Sequence, residues 1–549
     1  MTQKWRPHPY TLLIVIILLL GVCLRFYNLD HKLYWHDETF TSLRVSGYQS
    51  QEYLQTLFDG HLVSVADLQV YQTPRPNGNP GDVIKSLAIE DAQHPPLYYL
   101  LMWGWVQIWG HSPTITRLLS VCLSLLAFPA LYWLCIELFA APLIGGVAMA
   151  LMAVSPLHLL YAQEARQYSF WVVWILLSSA GLLRAIRVKT ATAWGFYSVT
   201  LVLGCYTFLF NIFVALGHAL YVVGLRQKSI LKPYLLACGL GVIGFSLWLV
   251  VLLTNAQNVQ ATTGWTARPF DAELRTQLWG WNLSHLVFDI GLQPDDPMAV
   301  LSVVLVLALV ISAVGYLCYQ TPLRAWLMVI GLMGMTPFVL CSLDLSMGGL
   351  RSVSARYFMA TYVGIGIAIA YLLAHPLTLV STKRPLAWKG MAAVLFTLGL
   401  TSCLVISQSD TWWIKAVAAD NAKTAQIINQ AERPLVISSQ QETNPGSLLS
   451  LSYLLEPRVR FQLIVDPKVP DIPSGFSDIF LFNPSASLKS ALMGTDRGEI
   501  KPIPDSTLLR LTGADRMTLR RARSRVEGSF ANAGGEDRVK QRVRVKPGI

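Results

Sequence analysis

Pro95-Pro96-Leu97-Tyr98-Tyr99-Leu100-Leu101-Met102-Trp103-Gly104-Trp105-Val106-Gln107-Ile108-Trp109-Gly110 is the stretch on which the architecture turns. It is apolar but short of the roughly 20 residues that a helix needs to cross a bilayer. It opens on two prolines and is rich in Trp and Tyr, which gather at headgroup level. If it crosses, every later loop changes side. Arg184, Arg187 and Lys189, then Arg226, Lys228 and Lys232, then Lys383, Arg384 and Lys389 would all lie outside, three times against the positive-inside trend. If it lies in the interface, all three clusters return to the cytoplasmic side beside Lys4 and Arg6. The segment therefore reads as interfacial.

Around it lie eleven expected spans: 10–24, 117–139, 141–160, 167–184, 191–208, 210–225, 233–254, 298–319, 323–342, 357–375 and 388–407. The first ends in Arg25-Phe26-Tyr27-Asn28 without a small-residue cleavage site and reads as an uncleaved anchor. The fold class is an α-helical polytopic membrane protein with a small soluble α/β domain at its C-terminal end. Composition agrees. Of 549 residues, 53% are hydrophobic and 14% charged, with a mean hydropathy of +0.45. A soluble chain carries roughly 25% charged residues, so a cytosolic enzyme, a secreted disulfide scaffold and a disordered protein are excluded.

The net charge of +11 does not point to nucleic acid, because ten basic and four acidic residues lie beyond Thr512 and much of the rest sits in short loops between apolar runs. All eight cysteines fall in apolar runs without zinc-like spacing and read as packing residues.

The same parity places residues 28–116, the Gln163–Tyr168 turn, the loop 255–297, the Asp344–Arg356 loop and the C-terminal region on the non-cytoplasmic face. The chain divides into a transmembrane domain over 1–407, which includes the outer loop 28–116, an α/β domain over 408–512, and a basic, disordered tail over 513–549. The α/β pattern is a helix at Asn421–Ala431, strands near Leu435–Ser438 and Arg460–Val465, a helix at Gly446–Leu455, and strands near Ile479–Phe482 and Leu508–Leu511.

Four clusters could carry chemistry. Tyr34-Trp35-His36-Asp37-Glu38-Thr39-Phe40 sets two carboxylates beside aromatics just outside the bilayer. There they could activate an acceptor, with partial desolvation raising a pKa, or simply begin a helix. Glu90-Asp91-Ala92-Gln93-His94-Pro95-Pro96-Leu97-Tyr98-Tyr99 stiffens the chain behind His94, which could face a lipid headgroup or be structural. Ser155-Pro156-Leu157-His158 leads into Gln163-Glu164-Ala165-Arg166-Gln167-Tyr168, whose ionisable residues either serve the site or pair with one another. Arg351-Ser352-Val353-Ser354-Ala355-Arg356-Tyr357 places two arginines outside, as phosphate ligands or surface anchors.

In this order the four clusters resemble those of membrane glycosyltransferases with the GT-C fold. Over residues 10–410 the chain is similar to bacterial members of the glycosyltransferase family 39 type, the protein mannosyltransferase and aminoarabinose transferase group. The resemblance implies transfer of a sugar, usually with inversion, from a polyprenyl-phosphate donor to an acceptor on the non-cytoplasmic face of a bacterial inner membrane. It implies Asp37 as base or acceptor-orienting group, with Glu38 beside it. His94 stands where the aminoarabinose transferases carry a phosphate-contacting Lys. Phe40 stands where they carry Arg, for which Arg44 could substitute one turn on. Tyr98, Glu164, Arg166, Tyr168, Arg356 and Tyr357 complete the expected substrate-binding set.

A lipid phosphate leaving group gains negative charge as the glycosidic bond breaks, so arginines aimed at it lower the barrier. No metal-ligand spacing is evident, and a metal is not expected to be obligatory. The acceptor could be a lipid, a polysaccharide or a protein. The main rival is a transporter or flippase of lipid-linked sugars, which should carry charged residues along its spans; here the ionisable groups gather at the outer edge.

Overall fold

The computed structural model describes residues 10–379, 385–466, 468, 471–493, 499–504 and 506–512. Lys4, Arg6, Lys383, Arg384 and the basic tail 513–549 lie outside the described residues. The described chain forms two compact units. One holds the residues up to Gln49 with Thr73–Ala416, and the other holds Ser50–Gln72 with the residues from Val417 onward. The expected boundary after 407 thus moves to Ala416, and the middle of the first loop leaves the helical unit.

Seven helices of the first unit are long and apolar enough to cross a membrane: Pro113–Phe139, Tyr168–Val188, Lys228–Thr254, Pro297–Gln320, Leu323–Met347, Ala355–Thr378 and Leu386–Ser407. The chain is a multi-pass membrane protein. An eighth expected span is broken into Pro142–Ala153 and Pro156–Ala162, bent by 65°. The other three expected spans are the shorter helices Thr11–Phe26, Ala191–Thr207 and Asn211–Gly224. Among the described residues, seven helices are long and apolar enough to cross, or eight with the bent pair, where eleven spans are expected. Leu97–Trp109 has 13 residues, about 20 Å at the helical rise, and does not reach across.

Burial separates two kinds of helix. Lys228–Thr254 leaves Leu247, Ile243 and Leu253 more than two-thirds exposed; in a helix apolar all round, such a face suits lipid. Met359–Thr378 is buried along most of its length and packs against Pro142–Ala153, Pro297–Gln320 and Leu323–Met347.

The bend at Ser155-Pro156 positions the site. Pro156 has no N–H to continue the helix, and the residue before a proline is pushed out of the helical region; Ser155 is extended, at φ −74° and ψ 120°. Arg25 caps the break, donating to the carbonyl oxygens of Ala153 at 2.6 Å and Met152 at 2.9 Å. Gly21 makes this approach possible, since a Cβ there would lie 2.4 Å from the Ala153 oxygen.

The second unit is a six-stranded sheet of β1 (Asp59–Ser64), β2 (Pro434–Ser439), β3 (Arg460–Ile464), β4 (Asp478–Leu481), β5 (Glu499–Pro502) and β6 (Leu509–Thr512), in the order β1-β3-β2-β4-β6-β5. β2 runs parallel to both β3 and β4, while the outer pairings are antiparallel. Leu435, Ile437, Ile464, Ile479, Leu481 and Leu511 form one apolar face, covered by Leu488 and Leu492 of helix Ala486–Met493. β1 comes from the first loop and pairs antiparallel with β3, Val63 opposite Phe461.

Candidate active site

Helix His36–Val45 begins with Asp37 and Glu38 in its first turn, where the helix dipole favours negative charge. The Trp35 N–H donates to Glu38 Oε2 at 3.3 Å and fixes the helix start. This turn sends the two neighbouring carboxylates to different environments.

Glu38 is fully buried. The Arg117 guanidinium grips both its oxygens, Nε to Oε1 at 2.7 Å and Nη2 to Oε2 at 2.8 Å. Lys415 Nζ donates to Oε2 at 2.6 Å and the Ala165 N–H to Oε1 at 3.0 Å. Burial pushes the Glu38 carboxyl up, but Arg117 and Lys415 outweigh it and hold it at about 2. A carboxylate so engaged has no lone pair left for an acceptor. Paired with Asp37 as a catalytic residue in the sequence, Glu38 is instead the clasp that joins three distant segments.

Asp37 keeps 16% of its side chain exposed. It is ion-paired with Arg356, and the Arg166 Nε lies 4.0 Å from its Oδ2. Burial pushes the carboxyl up, but the guanidinium groups of Arg356 and Arg166 outweigh it and hold it at about 2. The rise in pKa expected from desolvation is therefore reversed by two cations that the sequence could not place.

Arg166 reaches the site because its turn is pinned at both sides. Gln163 donates to the carbonyl oxygens of Leu24 and Tyr27, each at 2.9 Å, which caps helix Thr11–Phe26, while Ala165 is held by Glu38. From there Arg166 donates to Tyr99 Oη at 3.1 Å, Thr41 Oγ1 at 3.2 Å and His94 Nε2 at 3.0 Å. Tyr168 underlies both arginines, its ring 5.8 Å from the Arg166 guanidinium and 5.9 Å from that of Arg356, and Tyr357 stands 5.7 Å from Arg356. Glu164 is buried; Oε1 accepts from Trp35 Nε1 at 3.0 Å and Oε2 has no hydrogen-bond partner among the described residues. Burial pushes its carboxyl above the ordinary range.

Three further expected site residues have defined partners. A guanidinium can only donate, so His94 Nε2 accepts and the ring proton lies on Nδ1, 3.2 Å from Asp91 Oδ1. In this arrangement His94 faces Arg166 as an acceptor; burial, assisted by Arg166 and opposed by Asp91 and Asp37, holds it below its ordinary value. Arg44 turns to Glu90, with which it pairs, and to Asp91 at 3.3 Å, so it does not replace the arginine missing at Phe40. Tyr98 is buried with its hydroxyl 2.7 Å from Ser120, and its neighbour Tyr99 faces Arg166. Of the late arginines, Arg351 pairs with Asp344 at 2.9 Å and only Arg356 joins Asp37.

The sequence reading missed Arg117, Lys415, Tyr99 and the contact of Asp91 with His94. A charged residue at the head of an apolar run was the available signal for Arg117. Lys415 gave none, since its position depends on Trp412 and Trp413, which donate to Asp289 Oδ2 at 2.8 Å each and hold the segment beyond the last long helix. Among the described residues, no three His, Cys, Asp or Glu side chains converge as metal ligands.

No protein-family model matches the chain, and no curated protein matches it in sequence. Its structure is similar to that of ArnT from Cupriavidus metallidurans bound to undecaprenyl phosphate, at 12% identity and a TM-score of 0.54, over 91% of this chain and 98% of that one. The chain has the GT-C fold. The apo state of the same ArnT matches at 12% identity and a TM-score of 0.50, over 92% and 99% of the two chains. The archaeal oligosaccharyltransferase AglB from Archaeoglobus fulgidus, in complex with an inhibitory peptide and a dolichol-phosphate, matches at 11% identity and a TM-score of 0.47, over 82% and 64%. At these identities the likeness to ArnT is one of GT-C fold alone.

Proposed function

We propose that this protein is a glycosyltransferase of the bacterial inner membrane. It moves a sugar from a polyprenyl-phosphate donor to an acceptor on the non-cytoplasmic face. The observation that carries this reading is the pairing of one partly exposed carboxylate, Asp37, with two guanidinium groups from separate segments, Arg166 and Arg356. Transfer with inversion needs a carboxylate near the entering acceptor and fixed positive charge at the departing phosphate. The arginines supply that charge without a metal.

In this reading Arg166 and Arg356 receive the donor phosphate, and Tyr168 and Tyr357 steady them. As the phosphate draws the guanidinium groups away, the Asp37 carboxylate is released from them and its affinity for a proton rises. Asp37 then accepts the proton of the acceptor hydroxyl or amine as the acceptor oxygen or nitrogen bonds to the sugar carbon, while the bond from that carbon to the phosphate oxygen breaks and its electron pair leaves with the lipid phosphate. Glu38, Arg117 and Lys415 hold the helix start that presents Asp37.

The test is a transfer assay with purified protein in lipid, offering radiolabelled polyprenyl-phosphate sugars and following label into acceptor fractions. Label transfer that disappears in Asp37→Asn supports the reading. Label that crosses sealed vesicles without being transferred would instead favour a flippase.

A further inference from the structure

Asp91 enters the site only through its neighbours. It lies at the C-terminal end of helix Pro80–Glu90, where Arg44 Nε donates to its Oδ2 at 3.3 Å and Gln93 Nε2 to its Oδ1 at 2.5 Å. Arg44 is itself paired with Glu90 and donates to Ser86 at 3.3 Å. The carboxylate is thus fixed from behind, and His94 is the group it fixes in front. The chain of contacts runs from Arg44 to Asp91, from Asp91 to His94 Nδ1, and from His94 Nε2 to Arg166.

We propose that Asp91 and His94 are positioning residues for Arg166: Asp91 holds the imidazole with its Nε2 lone pair toward the guanidinium, and this aims the guanidinium at the donor phosphate. The inference rests on the lipid-phosphate reading above. A guanidinium with several donors needs fixed acceptors if it is to keep one orientation, and here they are Tyr99, Thr41, the Asp37 carbonyl oxygen and, on Nη2, His94. Of these four, the imidazole is the one that acid converts to a donor.

The charged and titratable groups around His94 are Asp91 on its own segment, Arg166 on the turn before helix Tyr168–Val188, and Asp37 on helix His36–Val45. Tyr99 stands with its ring 6.3 Å away, and Arg44 and Glu90 lie behind Asp91. Burial and Arg166 both oppose the imidazolium, whereas Asp91 and Asp37 favour it. When the ring does take a proton, Nε2 becomes a donor facing a donor and a cation facing a cation. Arg166 then turns aside, and phosphate affinity falls. A histidine that bound phosphate as a cation would behave in the opposite sense, with affinity rising as the ring is protonated. The sign of the pH dependence separates the two roles.

The experiment measures equilibrium binding of undecaprenyl phosphate to the full-length protein in lipid nanodiscs from pH 8 to pH 5. Wild type is compared with His94→Gln, which keeps an acceptor but cannot titrate, and with Asp91→Asn. Dividing the wild-type affinity by that of His94→Gln at each pH cancels the titration of the lipid phosphate itself. We expect the two proteins to agree within about threefold at pH 8 and the ratio to fall about tenfold toward pH 5, the size of one lost charge-assisted contact. Asp91→Asn binds more weakly at pH 8 and moves the fall to lower pH, because the imidazolium loses its carboxylate. A ratio that stays flat, or that rises on acidification, overturns the proposal. Absence of binding by wild type at pH 8 overturns the lipid-phosphate reading and the proposal with it.

Discussion

Asp37 and Arg356 lie 319 positions apart in the chain and are joined as an ion pair at the centre of the site. A donor phosphate that needs Arg356 must compete with Asp37 for it. Replacing Asp37 by Asn therefore has two effects of opposite sign. Sugar transfer falls by about 10²–10⁴-fold, the range set by loss of a positioned proton acceptor. Binding of undecaprenyl phosphate tightens by about tenfold as its competitor is removed, equivalent to about 1.4 kcal/mol. Turnover and equilibrium binding measured on the same preparation check both. A variant that binds the lipid phosphate no better than wild type would show that carboxylate and phosphate do not share the arginine.

Glu38 answers to stability rather than to chemistry. Glu38→Gln leaves Arg117 and Lys415 buried without their counter-charge, a change worth about 3–5 kcal/mol. In the wild type the folded-state pKa of Glu38 is depressed to about 2 from an ordinary 4.5. Its contribution of about 3 kcal/mol is therefore complete above pH 4.5 and is lost as the pH falls toward 2. Thermal melts in detergent should place Glu38→Gln well below wild type at pH 7, with a flatter dependence between pH 7 and pH 3. Equal melting temperatures at pH 7 would remove Glu38 from the clasp.

Asp37, Arg166, Tyr168 and Arg356 were legible as candidate site residues because each lies in a polar cluster flanking an apolar run, and such clusters are few in a chain of this composition. Their roles were less legible. Neighbouring Asp37 and Glu38 look alike in sequence, and only the cations around them, from 79 to 377 positions away, separate them. The α/β core followed from its apolar strands, whose expected positions fall within one or two residues of β2, β3, β4 and β6. β1 and β5 did not. Asp59-Gly60-His61-Leu62-Val63-Ser64 has little alternation of its own and becomes a strand because β3 offers it an edge. The lengths of the membrane helices were less legible for a related reason: an apolar run shows where a helix forms, but Pro156 bends one, and Thr11–Phe26, Ala191–Thr207 and Asn211–Gly224 are shorter than 18 residues.

Tyr98 and Tyr99 make an internal control. Tyr99 accepts from the Arg166 guanidinium, whereas Tyr98 is bonded to Ser120, which meets the Arg166 backbone carbonyl at 3.5 Å rather than the guanidinium. Tyr99→Phe removes one acceptor of the guanidinium and should raise the donor KM by about 2–10-fold, the value of a net hydrogen bond. Tyr98→Phe should leave the donor KM unchanged and lower thermal stability slightly. Steady-state kinetics on the two variants settle the order, and a larger KM effect at Tyr98 would reverse the assignment.

Arg25 tests whether the bend that carries the Gln163–Tyr168 turn is held in place by charge. Its guanidinium donates to Gly21, Met152 and Ala153 carbonyl oxygens and packs 5.0 Å from the Phe128 ring. The last carbonyls of helix Pro142–Ala153 have no intrahelical partners, and Pro156 prevents the chain from continuing to supply them. Arg25→Met retains length and apolar packing but strips those oxygens of their donor, at a cost of about 1–3 kcal/mol. Because Gln163 caps the same helix end that carries Arg25, the loss also loosens Arg166. Arg25→Met should therefore melt earlier and show a raised donor KM, while Arg25→Lys, which keeps a cation at the carbonyls, should fall between the two. Wild-type stability and kinetics in Arg25→Met would mean that Pro156 and the surrounding packing set the bend alone.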